Sequence, residues 1–187
     1  AGAPVGELLH LIAHAAIKSS LFLGAGVFQH DRESTELQTL AGAGRARPGI
    51  FAGFALSALA LAGIPPLAAF FSKDAILAAA MESPAAPWLL PFALAGSVLT
   101  GAYMGRALKV LWAGEAGPAR ASIPLMGLGM GVLVVLSAVL GFGFGTLEEM
   151  LGVEIEKPSW IVPVMGLAVG LGGLALGWFF APVRLLG

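Results

Sequence analysis

Long apolar runs separated by short polar ones dominate the chain, and their lengths decide what they are. A bilayer core of about 30 Å needs roughly 20 mostly apolar residues in a helix. Five runs meet that requirement, at about 5–28, 49–81, 88–112, 123–144 and 160–183. The pattern predicts an all-α, polytopic transmembrane bundle of five spans forming a single domain. The second run is too long for one straight crossing, since at about 1.5 Å per residue it extends roughly 50 Å. It contains Ile64-Pro65-Pro66, and proline inside a helix removes a backbone hydrogen bond and clashes with the preceding turn. The second span is therefore expected to be broken at Pro65-Pro66. The carbonyls near Leu61 and Ala62 then lack helical partners, and in lipid such groups must be met by protein or water. Trp88, Trp112, Trp160 and Trp178 lie toward span ends, where amphipathic rings prefer to sit.

Composition agrees with the pattern. Hydrophobic residues make up 58% of the chain and charged ones 11%, against about 25% charged in soluble domains. A net charge of −1 without a Lys/Arg run gives no reason to expect a nucleic-acid partner. The absence of cysteine removes thiolate metal sites and iron–sulfur clusters. The chain begins Ala1-Gly2-Ala3-Pro4 and enters an apolar helix at once, as the interior of a longer protein, or a trimmed one, is expected to.

Charge sets the orientation. Alternating connections place Arg32, Arg45, Arg47, Arg106, Lys109, Arg120 and Arg184 on one side and only Lys157 on the other, seven against one. The positive-inside rule puts the seven in the cytoplasm, with the amino end of this chain outside and its carboxyl end inside. The segment 146–159, with Glu148, Glu149, Glu154 and Glu156, is expected to be an outer, solvated connection. Glycine pairs four apart, Gly127 with Gly131, Gly166 with Gly170 and Gly173 with Gly177, predict close helix packing. Gly141-Phe142-Gly143-Phe144-Gly145 is read as packing and not as a phosphate loop, since no strand precedes it and no lysine follows.

Two of the ten cations, Lys18 and Lys73, fall inside apolar spans. A lysine at membrane depth costs at least about 2.5–3.5 kcal/mol on insertion scales and is a functional candidate by default. His10, His14 and Lys18 are spaced by four, so their side chains share one helix face. Histidine exchanges protons near neutral pH, and the stripe has the chemistry of a proton relay. The alternatives are an interfacial His10 with Lys18 in a structural ion pair. A zinc site lacks a third ligand nearby, and a bis-histidine haem would need its second ligand from another helix. No metal or cofactor is expected. In the second span, Ser72-Lys73-Asp74 follows the break, and a discontinuous membrane helix is a common frame for an ion site. Ser72 is a candidate cap for the second half-helix, Asp74 suits its positive end, and Lys73 is the ionisable group. The alternative leaves Lys73 snorkelling to the outer interface.

The stretch His10-Leu-Ile-Ala-His14-Ala-Ala-Ile-Lys18-Ser-Ser-Leu-Phe-Leu-Gly-Ala-Gly26 resembles the histidine–lysine helix of the antiporter-like subunits of respiratory complex I. Leu61-Ala-Gly-Ile-Pro-Pro-Leu-Ala-Ala-Phe-Phe-Ser-Lys-Asp-Ala-Ile-Leu77 resembles the second broken helix of that family, most similar to its chain L (chain 5) type. The resemblance covers the C-terminal portion of such a subunit. It implies that Lys18 is the central connecting lysine, with His10 and His14 beside it on a hydrated axis. It further implies that Lys73 is the lysine at the outward exit and that Asp74 modulates it. Departures are Ile17 for a usual aromatic, Ser19 and Ser20 for apolar residues, and Ala69 for a usual glycine.

The expected role is a proton-translocating membrane-arm subunit, or part of one, of an NADH–quinone oxidoreductase. Its redox centres would lie on other chains, and its setting would be the inner membrane of a prokaryotic cell. Expected partners are other membrane subunits, the lipid bilayer and protons. The alternatives are a subunit of a multi-subunit sodium/proton antiporter, a membrane-bound hydrogenase subunit, or a structural anchor bundle, which leaves the two lysines unexplained.

Overall fold

The computed structural model describes residues 3–120, 124–142 and 160–180. The acidic segment 146–159, Lys157, Arg184, and the glycines at 143 and 145 lie outside the described residues. The described chain contains seven helices and no strand: α1 (Ala3–Arg32), α2 (Ala43–Ala46), α3 (Pro48–Ala62), α4 (Ala68–Glu82), α5 (Ala86–Trp112), α6 (Pro124–Phe142) and α7 (Ile161–Phe179). Four stretches, His10–Arg32, Ala86–Trp112, Pro124–Gly141 and Ile161–Phe179, are long and apolar enough to cross a membrane, and Pro48–Ala62 is a shorter apolar helix. The outward faces carry large apolar side chains, among them Phe22, Phe92 and Leu125, each at least 75% exposed. That is the surface of a bundle whose solvent is lipid.

The expected break in the second span is present, and the local sequence explains its form. Gly63 closes α3 in the left-handed conformation, φ 84°, which glycine enters without a Cβ clash. The Gly63 N–H donates to the Ala60 carbonyl at 3.0 Å, and the Ile64 N–H reaches back to Leu59 at 3.1 Å, a paired closure of the helix end. The chain passes through a cis Pro65–Pro66 peptide and re-enters a helix at Ala68, with Leu67 extended before it.

Neighbouring helices approach this irregular backbone at glycines. A Cβ at Gly141 of α6 would stand 2.7 Å from the Ala68 nitrogen, and one at Gly170 of α7 would collide with the Ala62 carbonyl oxygen. A second backbone-to-backbone seam joins α5 and α7. A Cβ at Gly101 would meet the Gly170 oxygen at 2.9 Å, one at Gly173 the Val98 oxygen at 2.5 Å, and one at Gly177 would overlap the Ala102 oxygen. The expected pair Gly173/Gly177 is thus a packing seam.

The expected pair Gly127/Gly131 is not. Gly131 has nothing within 4 Å, and Gly127 meets only the Ile50 side chain at 3.5 Å. Here α6 packs through long side chains instead. Met130 reaches the surface left open by Gly24 on α1 and Gly53 on α3, at 2.9 and 3.1 Å from Cβ positions there. Methionine fills such irregular gaps well. Gly166 also differs from expectation, since it accommodates the Asp74 carboxylate, 2.9 Å from its Cβ position, and not a helix backbone.

The core runs along α1, α3 and α5, with Ile17, Leu21 and Phe28 packed against Phe54, Ala58 and Leu61 and against Met104 and Leu108. One polar pair crosses it. The Ser57 hydroxyl donates to Ser20 at 2.9 Å, with both residues fully buried, the kind of interhelical bond that lipid-embedded helices use.

Arg32, Arg45, Arg47 and Arg120 gather at one end of the bundle. Arg47, ahead of α3, donates to the buried Asp31 at the end of α1 through Nη2 at 2.9 Å, and the Arg120 backbone N–H donates to the same carboxylate at 3.1 Å. The Arg47–Asp31 hydrogen bond pushes the Arg47 guanidinium pKa up, against the smaller effect of desolvation. Arg32 donates to the carbonyls of Ala41 and Glu115 at 3.0 and 3.3 Å. Arg45 lies over Trp112, 5.5 Å from the ring centroid. The connections after α1 and after α5 are therefore one folded unit.

Candidate functional site

Helical spacing on α1 turns His10, His14 and Lys18 toward a common cavity of about 410 Å³. The His10 and His14 rings are 5.5 Å apart between centroids. The far side of the cavity is formed by Leu61 at the end of α3 and by Lys73, Ile76 and Leu77 of α4. A third wall comes from α5, with Gly96, Ser97, Thr100 and Tyr103.

Lys73 is held by the break itself. In an unbroken helix the Leu61 carbonyl would accept from the N–H four residues later, but that residue is Pro65, which has none. The Lys73 ammonium donates to the Leu61 oxygen instead, at 2.6 Å. Lysine carries three donors and no acceptor, so a stripped carbonyl in an apolar setting suits it. Its stem passes Gly63, where a Cβ would stand 3.2 Å from Lys73 Cδ. Lys73 thus turns inward against the break, and the snorkelling alternative does not describe it.

Ser72 does not cap α4. The helix begins at Ala68, with Leu67 at the cap position and no side-chain cap, because the chain resumes helical geometry directly after the proline pair. Ser72 lies one turn inside, fully buried, with its oxygen 3.4 Å from both the Ala68 and Ala69 carbonyls and 2.8 Å from His10 Nδ1. With its proton turned to those carbonyls, the hydroxyl accepts from a protonated Nδ1. With its proton turned to His10, it donates. Either way it links the α1 stripe to α4.

Asp74 is on another face. It is 5% exposed, it does not line the cavity, and its carboxylate abuts Gly166 of α7. A step of about 100° per residue separates it from Lys73. Among the described residues the ion pairs are Arg47–Asp31 and Arg120–Glu33, so Lys73 and Asp74 do not pair. Of the sequence candidates, the structure therefore brings His10, His14, Lys18 and Lys73 to one cavity, attaches Ser72 through His10, and leaves Asp74 apart.

The α5 wall was not anticipated. The Lys18 ammonium donates to the Tyr103 hydroxyl at 3.2 Å and stands 5.6 Å from the ring centroid. Thr100 donates to the Gly96 carbonyl at 2.7 Å, which leaves its oxygen able to accept. The available signal was the hydroxyl series Ser97, Thr100 and Tyr103, spaced by three along one face of an apolar helix.

Comparison with known proteins gives relatives for the chain. The family model described as "NADH:quinone oxidoreductase/Mrp antiporter, TM" matches residues 3–100. The "NADH-quinone oxidoreductase subunit L" of Mycobacterium tuberculosis is 32% identical over 91% of this chain and 30% of its own length. The "NADH-quinone oxidoreductase subunit N 2" of Herpetosiphon aurantiacus is 31% identical over 83% of this chain and 28% of its own. The "NAD(P)H-quinone oxidoreductase subunit 5, organellar chromatophore 1" of Paulinella chromatophora is 37% identical over 61% of this chain and 18% of its own. The chain thus spans about 30% or less of the length of these curated relatives.

Proposed function

Because the chain belongs to the NADH:quinone oxidoreductase/Mrp antiporter transmembrane family, we propose that it is the proton-conducting part of a membrane-arm subunit of an NADH–quinone oxidoreductase. Protons pass among His10, His14, Lys18 and Lys73, other membrane subunits are its partners, and the redox chemistry occurs on other chains. The observation that carries this reading is the shared cavity, where two helices contribute four exchangeable basic groups at the point where a membrane helix is broken.

Basic groups that line one cavity repel one another when charged, so a charge gained at one end makes a charge at the other more costly. A charge arriving from a neighbouring subunit would therefore redistribute protons between Lys18 and Lys73. Ser72 extends the set by a hydroxyl on His10. Asp74, near but off the cavity, would act on Lys73 through its field. The proposed setting is the inner membrane of a prokaryotic cell, with the Arg-rich end in the cytoplasm.

The test is Lys18→Ala in the assembled oxidoreductase, reconstituted in vesicles. NADH oxidation and assembly should persist while protons moved per electron fall sharply. His10→Ala should have a smaller effect than Lys18→Ala. Pumping by Lys18→Ala at the normal ratio would overturn the reading and leave Lys18 a packing role.

A further inference from the structure

The Lys18 side chain is a charge on a flexible four-carbon stem, and α1 alone does not fix where its ammonium stands. Its own helix offers His14, one turn away on the same face. The opposite choice is α5, and the ammonium takes it, donating to the Tyr103 hydroxyl at 3.2 Å. The chain has a single tyrosine, and its ring is also within reach of the cation, at 5.6 Å, so one residue supplies both an acceptor and a π-face. The titratable groups facing Lys18 across the cavity are His10 and His14 of α1, Lys73 of α4 and Tyr103 of α5, and no carboxylate lines it among the described residues. A phenol oxygen is thus the acceptor that the bundle provides for this cation.

We propose that Tyr103 is the positioning residue for Lys18, holding its ammonium at the α5 wall of the cavity. This rests on the proton-path reading above. Tyr103 contributes no proton of its own. It selects, among the positions the lysine stem can reach, the one beside the hydroxyl series of Ser97 and Thr100. Lys18 then delivers and receives protons along α5, toward the break where Lys73 stands.

The experiment compares Tyr103→Phe, Tyr103→Leu and Lys18→Ala in the assembled, reconstituted oxidoreductase. Tyr103→Phe keeps the ring and its packing and removes only the acceptor. A hydrogen bond to a charged group is worth about tenfold or more in an equilibrium. The expected result is intact assembly and NADH oxidation, a clear loss of protons moved per electron, and a displaced pH profile of pumping. Tyr103→Leu, which also removes the π-face, should fall further. A merely structural ring would leave the Phe variant's ratio and pH profile unchanged, and that result would overturn the role of Tyr103. If Lys18→Ala abolishes pumping while Tyr103→Phe is normal, only the positioning role is lost. If Lys18→Ala itself pumps normally, the path reading falls and the positioning role falls with it.

Discussion

Single residues decide this site through groups they lack as much as through groups they carry. Pro65 has no N–H, so the Leu61 carbonyl is left for Lys73. That Lys73 itself takes the Leu61 carbonyl needed the fold, but that the carbonyls near Leu61 lose their helical partners was legible in the sequence, because it follows from proline chemistry and the spacing of four. The basic stripe was legible for the same reason, since helical periodicity needs no tertiary information. Tyr103 was not, because an aromatic in an apolar span is ordinarily a lipid-facing or interfacial ring, and only the fold brings it to Lys18. Ser72 was singled out for the wrong role. Whether a hydroxyl caps a helix depends on where the helix starts, and the proline pair released the chain into helix at Ala68. Asp31 also needed the fold to show its role. It is 2% exposed and accepts from Arg47 and from the Arg120 backbone. Asp31→Asn removes the charge opposite Arg47, and we expect it to lower stability by about 2–3 kcal/mol. Thermal unfolding in detergent should show a clear drop, and an unchanged midpoint would mean that the pair is solvent-compensated.

At the scale of elements, the small-residue signal says that a helix can be approached closely, not which helix approaches it. Gly173 and Gly177 found a partner backbone in α5, whose own Gly101 and Gly105 complete the seam, whereas Gly131 touches nothing within 4 Å. Spacing within one helix cannot distinguish these cases, because the partner face is supplied by another part of the chain. The difference is testable with identical chemistry at two sites. Gly177→Ala puts a methyl group into the Ala102 carbonyl, and overpacking of this kind costs about 1–3 kcal/mol. Gly131→Ala meets open space and gains helix propensity, up to about 1 kcal/mol. The first should lower the thermal midpoint of the purified protein in detergent and the second should leave or raise it. Equal effects would mean that the seam between α5 and α7 is not where the helices bear on each other.

For the whole molecule, charge asymmetry along the sequence corresponds to a folded feature. Arg32, Arg47 and Arg120 are tied to Asp31 and to loop carbonyls at a single end of the bundle. Such an end is costly to carry through a bilayer, since each cation and its bonded partners would have to be desolvated together. Under the proposed orientation, in which the positive-inside rule applies, that end is the cytoplasmic one. With α1 as one crossing and the α3–α4 pair as the next, the turn between α4 and α5 must emerge on the other face. Thr35 and Ala85 are both exposed and lie on these two connections. The chain has no cysteine, so Thr35→Cys and Ala85→Cys each add a unique thiol. In intact cells an impermeant maleimide should label Ala85→Cys and spare Thr35→Cys, and inverted vesicles should reverse the pattern. Labelling of both from one side would mean that α3 and α4 together return to the face they left. The broken helix would then be a re-entrant hairpin, and Lys73 would face the same compartment as the arginines.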